Sequence, residues 1–149
     1  MSSSPLLKEE LELNKLRDPV SSGETRPEEW RRLQLDRIED LIGKHENEIL
    51  KALAEDLGKP PTEAFFELIA LRQELAITQK NLRKWMRPKK IHVPLSLKPG
   101  DAIVSLEPLG CVLIIGPWNY PFSLTLKPLI SALAAGNTAV IKPSEKAPE

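Results

Sequence analysis

Apolar residues in the first half of the chain recur at helical intervals. Trp30, Leu33, Ile38, Leu41, Ile42, Ile49, Leu53 and Leu57 lie three, four or seven apart, which predicts one long amphipathic helix over residues 25–57. Thr25 and Glu28 have capping-box spacing, and Pro27 is tolerated in a first turn. Gly58 followed by Pro60 and Pro61 predicts a stop. A second helix is expected from about Thr62, with Phe66, Ile69, Leu75 and Leu82 among its apolar positions, ending before Pro88. The period then changes. Residues 91–98 (IHVPLSLK) and 101–106 (DAIVSL) are short, β-rich and separated by Pro99-Gly100, the pattern of a hairpin or of edge strands.

From Cys111 the texture changes again. CVLIIG is a continuous apolar run, as expected of a strand covered on both faces. A short helix should follow, with Pro128 in its first turn if Thr125 or a neighbour is the cap, and with Gly136 closing it. TAVIKP (138–143) reads as a second buried strand. Strand, helix and strand within about thirty residues make a βαβ unit with parallel strands. The predicted class is α/β: amino-terminal helices and a β hairpin leading into the first βαβ unit of a Rossmann-like parallel sheet. Residues 1–24 are polar, with Ser2, Ser3, Ser4, Pro19 and Gly23, and are expected to form a flexible arm. Residues 25–90 form the helical segment and 91–106 the β edge. The last residues, IKPSEKAPE, stop where a strand has ended and a helix would begin, so the sequence is expected to be incomplete.

Composition narrows the function classes. The 149 residues hold 21 Lys+Arg and 21 Asp+Glu, so no global field points to nucleic acid or a membrane surface. Between Ala76 and Gly100 there are seven basic residues and no acidic one. That run reads as a solvated helix end in preference to a polyanion site, because cations suit a helix carboxyl terminus and no interleaved aromatics offer base stacking. The single cysteine, Cys111, excludes an intramolecular disulfide and fits a reducing, cytoplasmic setting. No segment approaches the roughly 20 apolar residues of a membrane helix. His45 and His92 lack metal-ligand spacing with each other or with Cys111, and no metal is expected.

The chemistry concentrates in GPWNYPF (116–122). Pro117 and Pro121 bias Gly116 and Tyr120 away from helix, giving a stiff loop at the carboxyl end of a parallel strand. Open α/β sheets bind ligands there. The Asn119 carboxamide can donate to a developing oxyanion, or it can cap a turn. Trp118 and Tyr120 can wall an apolar channel, or pack. On the next strand's exit, Lys142 and Glu145 can hydrogen-bond sugar hydroxyls, or remain solvated charges. The G-x-G-x-x-G fingerprint is absent.

With both clusters in view, EPLGCVLIIGPWNYPFSLTLKPLISALAAGNTAVIKPSE (107–145) resembles the start of the cofactor domain of the NAD(P)-dependent aldehyde dehydrogenases, and the segment WMRPKK and the preceding helices are most similar to the class 3 and fatty-aldehyde branch. The resemblance covers about residues 25–149. It implies that 107–149 begin the nucleotide-binding domain and that 91–106 belong to an oligomerisation edge. It implies that Asn119 supports the oxyanion of a thiohemiacetal, and that Ile115, Gly116, Pro117 and Trp118 lie beside the cofactor. It further implies that Trp118 and Tyr120 line a substrate channel, that Lys142 and Glu145 hold the adenosine ribose, and that Ser144 lies beside Lys142 in the cofactor site. NAD is the expected cofactor, with NADP open, and an aldehyde the substrate; a homodimer or higher homo-oligomer follows from the family alone. The family's nucleophilic cysteine and general-base glutamate lie downstream of KPSE, so this stretch resembles only the first third of a member. Cys111 occupies a position usually aliphatic in relatives and is expected to be an inert buried thiol. Two other readings stand beside this one: a short non-catalytic interaction module, and a related reductase of acyl phosphates or semialdehydes, which the WNYP loop disfavours.

Overall fold

The structure is a computed structural model that describes residues 5–148, with side chains described from Glu12 onward; Ser2, Ser3 and Ser4 of the expected arm lie outside the described residues. Residues 5–21 of that arm are helical instead. Helix α1 spans Pro5–Ser21 and lies against the carboxyl-terminal sheet. Val20 is buried there, and the Leu16 carbonyl accepts a hydrogen bond from the Thr138 hydroxyl at 2.5 Å. Tertiary contact selects this helix, and polar composition does not report it.

The single helix expected over 25–57 is two. Helix α2 covers Glu28–Lys44 and α3 covers Glu46–Leu57, with His45 at the break (φ −109°, ψ 15°). The His45 N–H still donates to the Leu41 carbonyl at 3.1 Å, while its Nδ1 lies 2.6 Å from a Glu48 carboxylate oxygen in the first turn of α3. The break lets each half aim its own apolar stripe. Leu35, Ile38 and Ile42 are buried on α2 and Ile49 and Leu53 on α3, whereas Leu33 and Leu41 of the expected continuous stripe are exposed.

Gly58 ends α3 in the left-handed region (φ +61°), as the Gly-Lys-Pro-Pro signal predicts. Helix α4 then runs Pro61–Trp85, with Pro61 in the first turn and Arg83 and Lys84 in the last. Its buried stripe is Ala64, Glu67, Leu68, Leu71, Leu75, Thr78 and Leu82. Phe66 is exposed, contrary to expectation, because a residue two positions from Ala64 and Leu68 points to the far side of a 3.6-residue helix. The core joins these residues to Ile130 and Ala134 of helix α5, described below.

Strands β1 (Lys89–Ile91) and β2 (Ala102–Val104) pair antiparallel, forming the expected hairpin with shorter strands. Pro94, which has no N–H for a ladder, instead leads into a single 3₁₀ turn at Leu95–Leu97. The βαβ unit is present: β3 (Cys111–Ile115), α5 (Pro121–Ala134) and β4 (Thr138–Lys142), with β3 and β4 parallel and Ile115 opposite Lys142. Two details differ from expectation. Helix α5 begins at Pro121, whose fixed φ suits a first helical residue, so Pro128 lies in the helix interior. Strand β3 is covered on one face only among the described residues, with Ile114 buried while Leu113 and Ile115 are 63% and 69% exposed.

A polar clamp ties this unit to α2. Gly136 closes α5 with φ +86°, and its carbonyl accepts the Thr25 hydroxyl at 2.6 Å. Thr25 is thereby used tertiarily, and the expected capping box with Glu28 does not form; Pro27 holds the N-cap position without a side-chain bond. The buried Arg31 guanidinium donates to the carbonyls of Ala134 at 3.0 Å and Thr25 at 3.2 Å. Burial pushes the Arg31 pKa down, opposed by the nearby Glu107 carboxylate. Asn137 completes the clamp by accepting the Gly110 N–H at 2.9 Å at the entrance to β3. No described helix is long and apolar enough to cross a membrane.

Gly136 therefore meets two demands. A Cβ there would lie 2.7 Å from an Arg31 nitrogen, on a backbone that L side chains rarely adopt. Gly136→Ala is expected to destabilise the protein by about 1–3 kcal/mol, read as a lower denaturation midpoint at unchanged slope. An unchanged midpoint would show that the clamp yields freely.

Candidate functional site

Loop 116–120 leaves the carboxyl end of β3 and turns directly into α5. The turn is tight because α5 presses on the strand end. A Cβ on Gly116 would sit 2.1 Å from the Thr125 hydroxyl oxygen, and both residues are buried. The Gly116 N–H donates to the Lys142 carbonyl at 2.9 Å, which carries the β3–β4 ladder one step past the strands. The loop and the exit of β4 are thus fixed side by side. This is the sheet edge at which parallel α/β units take ligands.

The structure places the expected site residues as follows. Asn119 is exposed at the loop, and its carboxamide makes no hydrogen bond to any described residue. It does not cap the turn. Trp118 and Tyr120 flank it, each about half exposed. Pro117 is half-buried, and Ile115 projects outward at the end of β3 beside Lys142. On the β4 side, Lys142 Nζ lies 2.5 Å from a Glu145 carboxylate oxygen. That hydrogen bond, with one from the backbone, holds the Glu145 carboxyl below the usual glutamate range. Ser144 lies between them in chain order, and its hydroxyl oxygen accepts the Lys146 N–H at 3.2 Å. The Lys142–Glu145 pair presents ammonium donors and carboxylate acceptors together, the set that vicinal sugar hydroxyls require.

Cys111 stands apart from the loop. It is half-buried at the opposite end of β3, and four residue steps of strand separate it from Ile115 by ~13 Å. Asn119 cannot serve chemistry at that sulfur. Among the described residues no group of three His, Cys, Asp or Glu is arranged to hold a metal ion.

Sequence reasoning missed the support beneath the loop. Tyr120 holds the N-cap position of α5, and no side-chain cap bond forms there. The Ser123 N–H at the third helical position donates instead to Glu67 Oε2 of α4 at 3.1 Å. The other Glu67 oxygen pairs with Lys59, whose Nζ stands 3.8 Å from the centroid of the Tyr120 ring. One signal was available: Glu67 falls between Ala64 and Leu71 on the buried stripe, and a carboxylate there requires a cation and a donor.

Comparison with known proteins identifies the family and the fold. The model described as the aldehyde dehydrogenase family matches residues 21–149. Aldehyde dehydrogenase family 3 member H1 of Arabidopsis thaliana is 44% identical over 137 residues, which is 91% of this chain and 28% of the plant protein. Among solved structures, the substrate-bound state of Staphylococcus aureus AldH superimposes with a TM-score of 0.89 at 39% identity, over 93% of this chain and 31% of that one. The NADP complex of Bacillus halodurans glyceraldehyde-3-phosphate dehydrogenase superimposes with a TM-score of 0.77 at 26% identity, over 91% of this chain and 29% of that one. The chain therefore spans a little over a quarter of the length of the curated relatives it matches.

The Gly116–Thr125 contact is testable by compensation. Gly116→Ala is expected to lower the denaturation midpoint, because a Cβ 2.1 Å from the Thr125 oxygen forces the helix off the strand. Adding Thr125→Ala removes that oxygen and should recover most of the loss. A double variant no more stable than Gly116→Ala alone would show that the close approach is not what requires glycine.

Proposed function

This chain belongs to the aldehyde dehydrogenase family, and we propose that it forms the amino-terminal part of an NAD(P)-dependent enzyme oxidising aldehydes to carboxylic acids. The observation that supports this reading is Asn119: a carboxamide held by a stiff loop at the sheet edge, with no described partner. When a nucleophilic thiolate adds to an aldehyde, negative charge gathers on the former carbonyl oxygen. A preorganised N–H donor lowers the energy of that charged state more than of the neutral substrate, which raises kcat. Asn119 supplies the donor. The family resemblance implies that the attacking cysteine and the water-activating glutamate follow KPSE; the position of Cys111 at the far end of β3 makes it unsuitable as that nucleophile.

A nicotinamide cofactor fits the β4 exit. Lys142 and Glu145 already hold each other at 2.5 Å and can exchange that contact for ribose hydroxyls, while Ile115, Gly116, Pro117 and Trp118 offer an adjoining surface at the end of β3. Bound there, the cofactor supplies the hydride acceptor. The Glu145 carboxylate beside the ribose disfavours a 2′-phosphate, so NAD is the proposed cofactor, although the Bacillus halodurans relative is described as complexed with NADP. Trp118 and Tyr120 are proposed to wall the channel for an apolar aldehyde. The β1–β2 hairpin exposes Ile91, Ile103 and Val104 and is proposed as an oligomer edge in a cytoplasmic enzyme.

The test is made in protein expressed from the complete reading frame. Asn119→Ala is expected to lower kcat ~10²–10³-fold while nicotinamide affinity, measured by fluorescence titration, stays at the parent value. Equal turnover in variant and parent would remove Asn119 from the reaction.

A further inference from the structure

Glu67 and Lys59 form a buried polar unit with no place in the reaction described so far. Their side chains are 1% and 9% exposed, on α4 and on the connection that precedes it. The unit reaches the loop twice. The Glu67 carboxylate takes the Ser123 N–H in the first turn of α5, where the helix dipole favours an anion. The Lys59 ammonium, neutralised by Glu67, lies against the face of the Tyr120 ring. Tyr120 follows Asn119 directly, and Ser123 lies four residues beyond it. A buried ion pair of this kind contributes little net stability compared with apolar residues of the same volume. What it adds is geometry, because hydrogen bonds weaken steeply away from their preferred distance and angle.

We propose that Glu67 and Lys59 are positioning residues that fix the direction of the Asn119 carboxamide by holding Tyr120 and the start of α5. This rests on the reading of Asn119 as the oxyanion donor. A donor displaced by about 1 Å loses up to ~10²-fold in rate, so the support beneath the loop should be visible in kcat. In Glu67→Gln one carboxylate oxygen becomes an NH₂ group. In the observed arrangement, with Ser123 and Lys59 on different oxygens, the amide can present its one oxygen to only one of them and turns its NH₂ toward the other donor.

A double-mutant cycle in protein expressed from the complete reading frame tests the proposal. Glu67→Gln is expected to lower kcat about 10-fold or more with nicotinamide affinity unchanged. In the Asn119→Ala background the same substitution should have no further effect on kcat, because there is no donor left to aim. Losses that multiply, or a Glu67→Gln enzyme with parental kcat, would overturn the positioning role while leaving Asn119 in place. An Asn119→Ala enzyme with parental kcat would instead overturn the underlying reading, and the proposal with it. If Glu67→Gln shows no cooperative melt, Lys59→Gln takes its place in the cycle. It keeps a donor for Glu67 and removes the charge from the Tyr120 face, and the same non-additivity is expected.

Discussion

The close approach of α5 to the end of β3 governs the carboxyl-terminal unit. At Gly116 the strand has no side chain, and Thr125 occupies the space a Cβ would need. The chain reverses within five residues, from Gly116 to Tyr120, in a turn that leaves no room for a Cβ at Gly116, and Pro117 and Pro121 restrict the loop further. The same Gly116 donates its N–H to the Lys142 carbonyl, which sets the exit of β4 beside the loop. The oxyanion donor and the ribose-binding pair proposed for this edge therefore share one backbone anchor.

Around that anchor, charged groups serve two different ends. Glu67, Lys59 and Arg31 are removed from water and tied to backbone groups or to each other, so each is held to one arrangement. They fix both ends of α5: Glu67 receives Ser123 at its start, and Arg31 holds the Ala134 carbonyl at its close. Lys142 and Glu145 are exposed, and their mutual contact is easily exchanged. An exposed pair suits a site that must bind and release; a buried one suits a scaffold.

Much of this was legible in the sequence, and the exceptions share a cause. The βαβ unit followed from two apolar runs flanking a helical pattern, and Gly58 and Gly136 marked helix ends because a left-handed residue leaves a glycine signal. The loop's place between strand and helix was readable because its two prolines restrict the backbone on either side of Asn119; the chemistry proposed for it is a separate step. What failed depended on distant contacts. Helix α1 packs on β3 and β4, the break at His45 separates two helices with different buried stripes, and Thr25 is taken by a hydrogen bond 111 residues away in place of a plausible capping box. Glu67 was hidden for the same reason: its two partners, Lys59 before α4 and Ser123 in α5, come from other segments, and only the fold brings them together.

Asn119 is proposed to face a developing oxyanion. That reading is tested most directly by a crystal structure of protein from the complete reading frame, trapped with an aldehyde-derived adduct on its nucleophilic thiol. The Asn119 carboxamide nitrogen is expected about 2.7–3.1 Å from the adduct oxygen, with the Glu67–Ser123 and Lys59–Tyr120 contacts retained. An adduct oxygen bound by other donors, with Asn119 turned toward solvent, would contradict it.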